Sequence, residues 1–193
     1  TMNFKKLEIA DYRLLKPYFA SIPYRLSVYS LPSIIAWSNC VFEARFALAG
    51  DRLVIANESE LRPEDRHLIL PLSLEGDVSP GGLRSIAVES GFSSYWCVSG
   101  DYVERHRQAL ESMFLLEEQE EFEDYVYLAE DLATLKGNRY VRKRNLIHQF
   151  EREFMGNGHR SRVEPITRDS VPECLVFLEA WCEQKDCDVD GDI

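Results

Sequence analysis

The strongest constraint on the fold is a stretch of alternating side chains followed by a tight turn. Between residues 41 and 48, apolar side chains alternate with Glu43 and Arg45, and Gly50-Asp51 then leads into the apolar run 53–55. Alternation with a period of two is typical of a half-buried strand, and a short turn containing glycine joins antiparallel strands. The sequence therefore predicts a β-hairpin, which commits the chain to a sheet with antiparallel pairing.

Helical and extended segments interleave around this hairpin. Apolar spacing, capping residues and prolines predict helices over residues 9–21, 31–37, 83–89, 101–110, 138–154 and 170–185. Short apolar runs predict further strands at residues 67–72, 95–98, 113–116, 125–128 and 162–166. This alternation indicates an α/β or α+β fold class, with a mixed sheet flanked by helices.

The charge balance restricts the partners of the chain. Its 193 residues include 22 Lys and Arg against 33 Asp and Glu, a net charge of −11, which repels phosphate backbones and anionic lipid surfaces. We therefore expect no non-specific nucleic-acid binding, and an anionic partner requires a local basic patch. The sequence contains no apolar run long enough to span a membrane and no signal-peptide pattern, so we expect a cytoplasmic protein. Its five cysteines form no Cys-x-x-Cys pair, which fits a reducing compartment and argues against a zinc site.

Charge is also strongly polarised along the chain. Eleven acidic residues lie in the segment from Asp101 to Leu135. Six cations then follow, the last five of them on the helix predicted over 138–154: Lys136, Arg139, Arg142, Lys143, Arg144 and Arg152. One interpretation is a structural charge network between the cations and the acidic run. The alternative is that Lys143 and Arg144 border a cleft and hold a phosphate or carboxylate, such as the end of a nucleotide.

Other motifs give weaker signals. The Gly76–Gly82 loop precedes a predicted helix and is a candidate phosphate loop or an ordinary turn. The segment 186–193 fits the first eight positions of a calcium loop, or is an acidic linker. The four histidines show no metal-ligand spacing, so no metal site is predicted, and no catalytic residue is identified.

Residues 124–147 carry a family resemblance. Asp124-Tyr125-Val126-Tyr127 leads into a Leu-x-Gly-x-x-Tyr-x-x-Lys-Arg-Asn pattern that begins at Leu135. This stretch resembles the bacterial family built on the C-terminal domain of phosphatidylglycerol lysyltransferase. The resemblance implies two tandem domains of the GCN5-related acyltransferase fold. Residues 1–155 would form the first domain, and residues 156–193 would be the truncated start of the second.

The resemblance also implies a function. Members that use aminoacyl-tRNA transfer the aminoacyl group to a lipid head group, so we expect an acyl- or aminoacyl-transferase-like protein whose donor is acyl-CoA or aminoacyl-tRNA. Lys143 and Arg144 would then steady the anionic end of the donor, with Arg139 and Lys136 at the rim. The acyltransferase fold's usual pyrophosphate loop is not evident in the chain. The alternatives are a non-catalytic binding module of the same fold and a calcium-binding protein that uses the Asp186 loop, and the sequence does not specify an oligomeric state.

Overall fold

The chain folds as two compact units, Thr1–Asp124 (unit 1) and Tyr125–Ile193 (unit 2). A computed structural model describes residues 2–20, 22–38, 42–155 and 162–185. The fold class is mixed α/β, with an open antiparallel sheet flanked by helices, and this confirms the sequence prediction. The predicted domain boundary at residue 155 stays a prediction.

Unit 1 contains the sheet. Its strands are β1 (Lys5–Lys6), β2 (Glu43–Ala49), β3 (Arg52–Glu58), β4 (His67–Leu68) and β5 (Leu72–Ser73). Its α-helices are α1 (Tyr12–Phe19), α2 (Leu31–Trp37), α3 (Pro80–Ser90) and α4 (Gly100–Glu111), and its short 3-10 turns are Ile9–Asp11, Ser27–Tyr29, Pro63–Asp65 and Glu120–Phe122. The strand order is β1-β2-β3-β4, and β5 pairs with β3 as well.

The predicted hairpin is confirmed. Strands β2 and β3 pair antiparallel over their full length, from Glu43 opposite Glu58 to Ala49 opposite Arg52. The turn between them places Gly50 at a φ of 64°, a left-handed conformation that glycine adopts without steric cost. Local alternation and one glycine are therefore sufficient to define the central pair of the sheet.

Strand β3 forms the centre of the core. Its residues Leu53, Val54, Ile55 and Ala56 are all at most 1% exposed, so both faces of this strand are covered. Burial on both faces explains why the strand is a continuous apolar run and does not alternate. The helices contribute further buried side chains to the same core, among them Leu15, Leu83, Ile86 and Tyr102.

Unit 2 is helical in the part that the structure describes. It contains α5 (Ala129–Thr134), a 3-10 turn (Asn138–Tyr140), α6 (Val141–Phe150), a π-helical turn (Glu151–Met155) and α7 (Val171–Lys185). The helix predicted over residues 138–154 is confirmed in position, although its first and last turns are not α-helical. Its predicted apolar stripe is buried only at Tyr140, since Ile147, Phe150 and Phe154 are 44–49% exposed.

Several predicted strands are wrong. Residues 113–116, 125–128 and 162–166 form no strand, and residues 95–98 make only one isolated parallel bridge, between Tyr95 and Leu68. An apolar run becomes a strand only when another strand supplies hydrogen-bond partners. The side chains of Tyr125 and Val163 are 90% and 102% exposed, so these two runs lack the burial that favours a strand.

His67 is the buried histidine of unit 1. Its ring stacks on Trp96 with centroids 4.2 Å apart and ring planes within 4°. Nδ1 lies 2.7 Å from the Asp65 carbonyl oxygen and Nε2 lies 3.1 Å from the Asn57 side-chain nitrogen. These partners fit a neutral imidazole that donates from Nδ1 and accepts at Nε2. Burial lowers the pKa of His67, because a charged ring is poorly solvated there.

This burial predicts a pH dependence of stability. Below a pH of about 6.5, the ordinary pKa of histidine, the unfolded chain takes up a proton that folded His67 excludes, so the free energy of unfolding falls. The fall ends once the pH drops below the lowered pKa of the folded state. Urea denaturation at a series of pH values measures it. His67→Gln should flatten this part of the profile, and a variant profile equal to that of the unchanged chain would contradict the assignment.

Candidate anion-binding site on helix α6

The segment that leads into α6 is a tight turn. Helix α5 ends at Thr134, and the next residue, Leu135, adopts a left-handed φ of 47° and donates its N–H to the Asp131 carbonyl oxygen at 2.8 Å. Gly137 follows with a φ of 91° and a ψ of 171°, a conformation essentially restricted to glycine. Tyr140 then buries its ring, and α6 begins at the next residue. The Leu-x-Gly-x-x-Tyr part of the family pattern is thus the short connection between helices α5 and α6.

Two of the four predicted binding cations stabilise this turn. The Arg144 guanidinium donates to the carbonyl oxygens of Leu135 and Gly137, the latter at 2.9 Å. The Arg139 guanidinium pairs with the Asp131 carboxylate and lies 4.8 Å from the centre of the Tyr140 ring. Both arginines therefore already have partners within unit 2.

The other two predicted cations are exposed. Lys136 lies in the turn and Lys143 lies on the first half of α6. Neither ammonium group has a carboxylate within 4.0 Å among the described residues. An exposed cation without an internal partner is available to an anionic ligand.

A broad, open concavity runs along a neighbouring face of the same helix. Its lining residues are Arg142, Asn145, Leu146, His148, Gln149, Glu151 and Arg152. Within the described part of the chain, neither Arg142 nor Arg152 forms an ion pair, whereas His148 Nδ1 lies 3.2 Å from Glu151 Oε2. The two guanidinium groups and the Asn145 amide provide donors for phosphate or carboxylate oxygens, whereas Gln149 Nε2 already donates to Glu153 Oε1 at 3.0 Å.

Sequence reasoning missed these arginines as a pair. Arg142, Asn145, Gln149 and Arg152 follow the spacing i, i+3, i+7, i+10, which places them on one face of a helix. The sequence therefore contains a polar stripe that indicates this face. Lys143 and Arg144 were predicted as binding residues because they flank the apolar stripe. The concavity is bordered by Arg142 and Arg152, and it does not include Lys143 or Arg144.

The Gly76–Gly82 loop has internal partners. Ser79 caps α3 by accepting a hydrogen bond from the Gly82 N–H at 3.3 Å. The Asp77 carboxylate accepts from the Tyr24 hydroxyl at 2.7 Å and pairs with Arg105 at 2.7 Å. Because the Ser79 and Asp77 side chains are both engaged within the fold, the geometry fits a structural turn better than a phosphate loop.

One further sequence candidate concerns a metal. The calcium-like segment 186–193 lies outside the described residues. Among the residues that the structure does describe, no group of three or more His, Cys, Asp or Glu side chains is arranged to hold a metal ion.

Residues 94–191 match the model of a family described as phosphatidylglycerol lysyltransferase, C-terminal. The match covers just over half of the 193 residues. The chain belongs to this family. The match includes the whole of α6 and all the cations named above, and it confirms the resemblance that the sequence carries at residues 124–147.

Two broader comparisons found no similar protein. No curated protein and no solved structure matches the chain. No helix in the described part of this phosphatidylglycerol lysyltransferase C-terminal family member combines the length and apolarity needed to cross a bilayer.

Proposed function

We propose that this chain acts as an acyl- or aminoacyl-transferase and that helix α6 holds the anionic end of its activated donor. The observation that supports this most directly is the face shared by α6 and the π-helical turn after it, where Arg142 and Arg152 border one open concavity and neither pairs with a carboxylate of the described residues. Both the acyl-CoA class and the aminoacyl-tRNA class of donor carry phosphate groups. One guanidinium can donate two parallel N–H hydrogen bonds to two oxygens of the same phosphate. Each arginine is therefore suited to bind a phosphate group of these donors.

The charge of the whole chain makes this patch significant. A net charge of −11 opposes the approach of any polyanion, so binding depends on a local concentration of positive charge. Lys136, Arg142, Lys143 and Arg152 provide that concentration within 17 residues of sequence. In this proposal Arg142 and Arg152 hold phosphate oxygens, while Lys143 and Lys136 attract the donor at the rim.

Arg144 and Arg139 have a positioning role in the proposal. Because Arg144 is bound to two carbonyl oxygens of the turn, it orients the start of α6 and with it the first donor-binding arginine. The contribution of such a site to transfer is to hold an activated ester or thioester in place near an attacking amine or hydroxyl. The proton-transfer step is not assigned to a residue.

The binding step is tested with three single variants. Arg142→Ala and Arg152→Ala should each weaken donor binding by about fivefold to tenfold, the range for one lost charge-assisted contact at an exposed site. Arg84→Ala, which removes an exposed cation of α3 in unit 1, serves as the matched control and should leave binding unchanged. Fluorescence anisotropy with labelled acyl-CoA and with aminoacyl-tRNA, repeated over a range of salt concentrations, gives the affinities. Loss of one phosphate contact should also lower the salt slope of the binding constant by about 0.7–0.9.

Three results would contradict the proposal. Binding of neither donor would favour the non-catalytic module of the same fold. Equal weakening by Arg84→Ala would indicate a diffuse charge effect. Donor binding without release of the acyl group, in an assay that offers amine and hydroxyl acceptors, would retain the anion site and reject the transferase.

A further inference from the structure

Residues 94–96 run parallel to the sheet strand β4 at Leu68 and then separate from the chain that follows it; we call this junction, up to Cys97, the fork. The Leu68 N–H donates to the Ser94 carbonyl oxygen at 3.0 Å, and the Trp96 N–H donates to the Leu68 carbonyl oxygen at 2.8 Å. The segments then separate: the next N–H in the first segment, of Ile69, donates to Ile55 at 3.2 Å, and Cys97 adopts a φ of 53°. The backbone of Cys97 therefore needs partners from outside the sheet.

A segment further along the chain provides one of these hydrogen-bond partners and packs against Trp96. Gln119 accepts a hydrogen bond from the Cys97 N–H at 2.9 Å through its side-chain oxygen. The Phe122 ring lies 5.6 Å from the Trp96 ring, measured between centroids. The Asp124 carboxylate accepts from the Ser27 N–H at 2.6 Å. Residues 117–124, which we call the strap, thus cover the open end of the fork through two contacts and are held at Ser27 by a third.

The strap carries charge that these contacts do not neutralise. Six of its eight residues are acidic, and no lysine, arginine or histidine of the described part of unit 1 forms an ion pair with them. Neighbouring carboxylates repel one another, and the repulsion is strongest at low ionic strength. Phe122 itself remains 46% exposed, so its burial adds little to hold the strap down.

We propose that the strap is a releasable cover on the fork, held by the hydrogen bonds of Gln119 and Asp124 against the mutual repulsion of its own carboxylates. When the strap lifts, the Cys97 N–H and the face of Trp96 become accessible. The strap ends where unit 1 ends, and residues 125–128 that follow are irregular and exposed. This inference goes beyond the proposed transferase function and does not depend on it.

Cys97 provides a natural reporter of the strap. Burial and the nearby Asp124 carboxylate raise the pKa of its thiol, so the closed state contains little of the reactive thiolate. Lifting the strap removes the carboxylate and part of the cover, and both changes increase the rate of alkylation. Mass spectrometry of the Cys97 peptide separates this signal from the other cysteines, and hydrogen exchange of the Cys97 amide gives a second readout.

The first test removes a contact that holds the strap closed. Gln119→Ala should raise the alkylation rate of Cys97 and the exchange rate of its amide by about fivefold, the effect of one lost hydrogen bond on the open population. Gln108→Ala, on the exposed face of α4, is the matched control and should change neither rate. Equal rates in the two variants would overturn the proposal. So would a parallel rise at buried amides of β3, because that result would indicate global unfolding.

The second test acts through charge. Raising the ionic strength from about 0.01 M to about 0.5 M shortens the Debye length from roughly 30 Å to a few ångströms, so the wild-type alkylation rate should fall. A chain with Glu117, Glu118, Glu120 and Glu121 replaced by glutamine should react slowly at both salt concentrations. A salt effect that persists in this neutralised chain would overturn the role of the carboxylates.

Discussion

Replacement of Leu68 by alanine is expected to lower the free energy of unfolding of unit 1 by about 2–5 kcal/mol. The side chain of Leu68 is fully buried, with 0% of its surface exposed. Its backbone joins β4 to β3 at Ala56 and also forms the parallel bridge to Tyr95. A cavity at this point weakens the contacts of the sheet on two sides, because the surrounding backbone is held by hydrogen bonds and relaxes only in part.

Leu74 provides the control within the same unit. It is 53% exposed, so Leu74→Ala should change the free energy of unfolding by no more than about 0.5 kcal/mol. Urea denaturation followed by circular dichroism compares the two variants under identical conditions. Equal destabilisation by both substitutions would mean that Leu68 does not occupy the core as described.

The second large effect concerns Gly137, at the entrance to α6. Gly137→Ala is expected to cost about 1–3 kcal/mol, because its φ of 91° and ψ of 171° lie in a region that residues with a side chain adopt only under strain. A methyl group added there would meet no atom within 4 Å, so the cost arises from backbone conformation and not from a clash. The turn that Arg144 holds would be distorted, and we expect donor binding to weaken together with stability.

Gly81→Ala is the matched control for this effect. Gly81 lies in the first turn of α3, has no left-handed φ, and also has open space around its Cβ position. Alanine at such a helical site should stabilise the chain by about 0.4–1 kcal/mol. Hydrogen exchange at the amides of α6, with chemical denaturation of both variants, separates the two results. Tolerance of alanine at both positions would contradict the backbone conformation at Gly137.

Local sequence predicted the regular elements that depend on local physics. The β2–β3 hairpin follows from alternation and from Gly50, and helices α3, α4, α6 and α7 follow from apolar spacing and capping or breaking residues. Residues 113–116, 125–128 and 162–166 form no strand, although each is an apolar run. Their composition favours strands, but a strand requires a partner elsewhere in the chain, and composition carries no record of that partner.

The candidate site could also be predicted only in part from the sequence. Sequence alone identified the cationic segment after Gly137, because clustered charge is visible without coordinates. Which cations already have internal partners depends on the fold. Arg144, for example, donates to two carbonyl oxygens that face it because of the turn at residues 135–137. Arg142 and Arg152 became candidates once the helix placed them along one open concavity.

The amino-acid sequence by itself determined that this chain forms an antiparallel hairpin, that a basic helix follows a long acidic stretch, and that residues 124–147 carry the pattern of the phosphatidylglycerol lysyltransferase C-terminal family. Only the tertiary structure decided which cations have hydrogen-bond partners in the turn and which face solvent. It also decided that residues 117–124 cover the fork at Cys97. The physical reason is that periodicity and charge act between near neighbours in the chain, whereas hydrogen-bond partners and burial depend on residues that folding brings together.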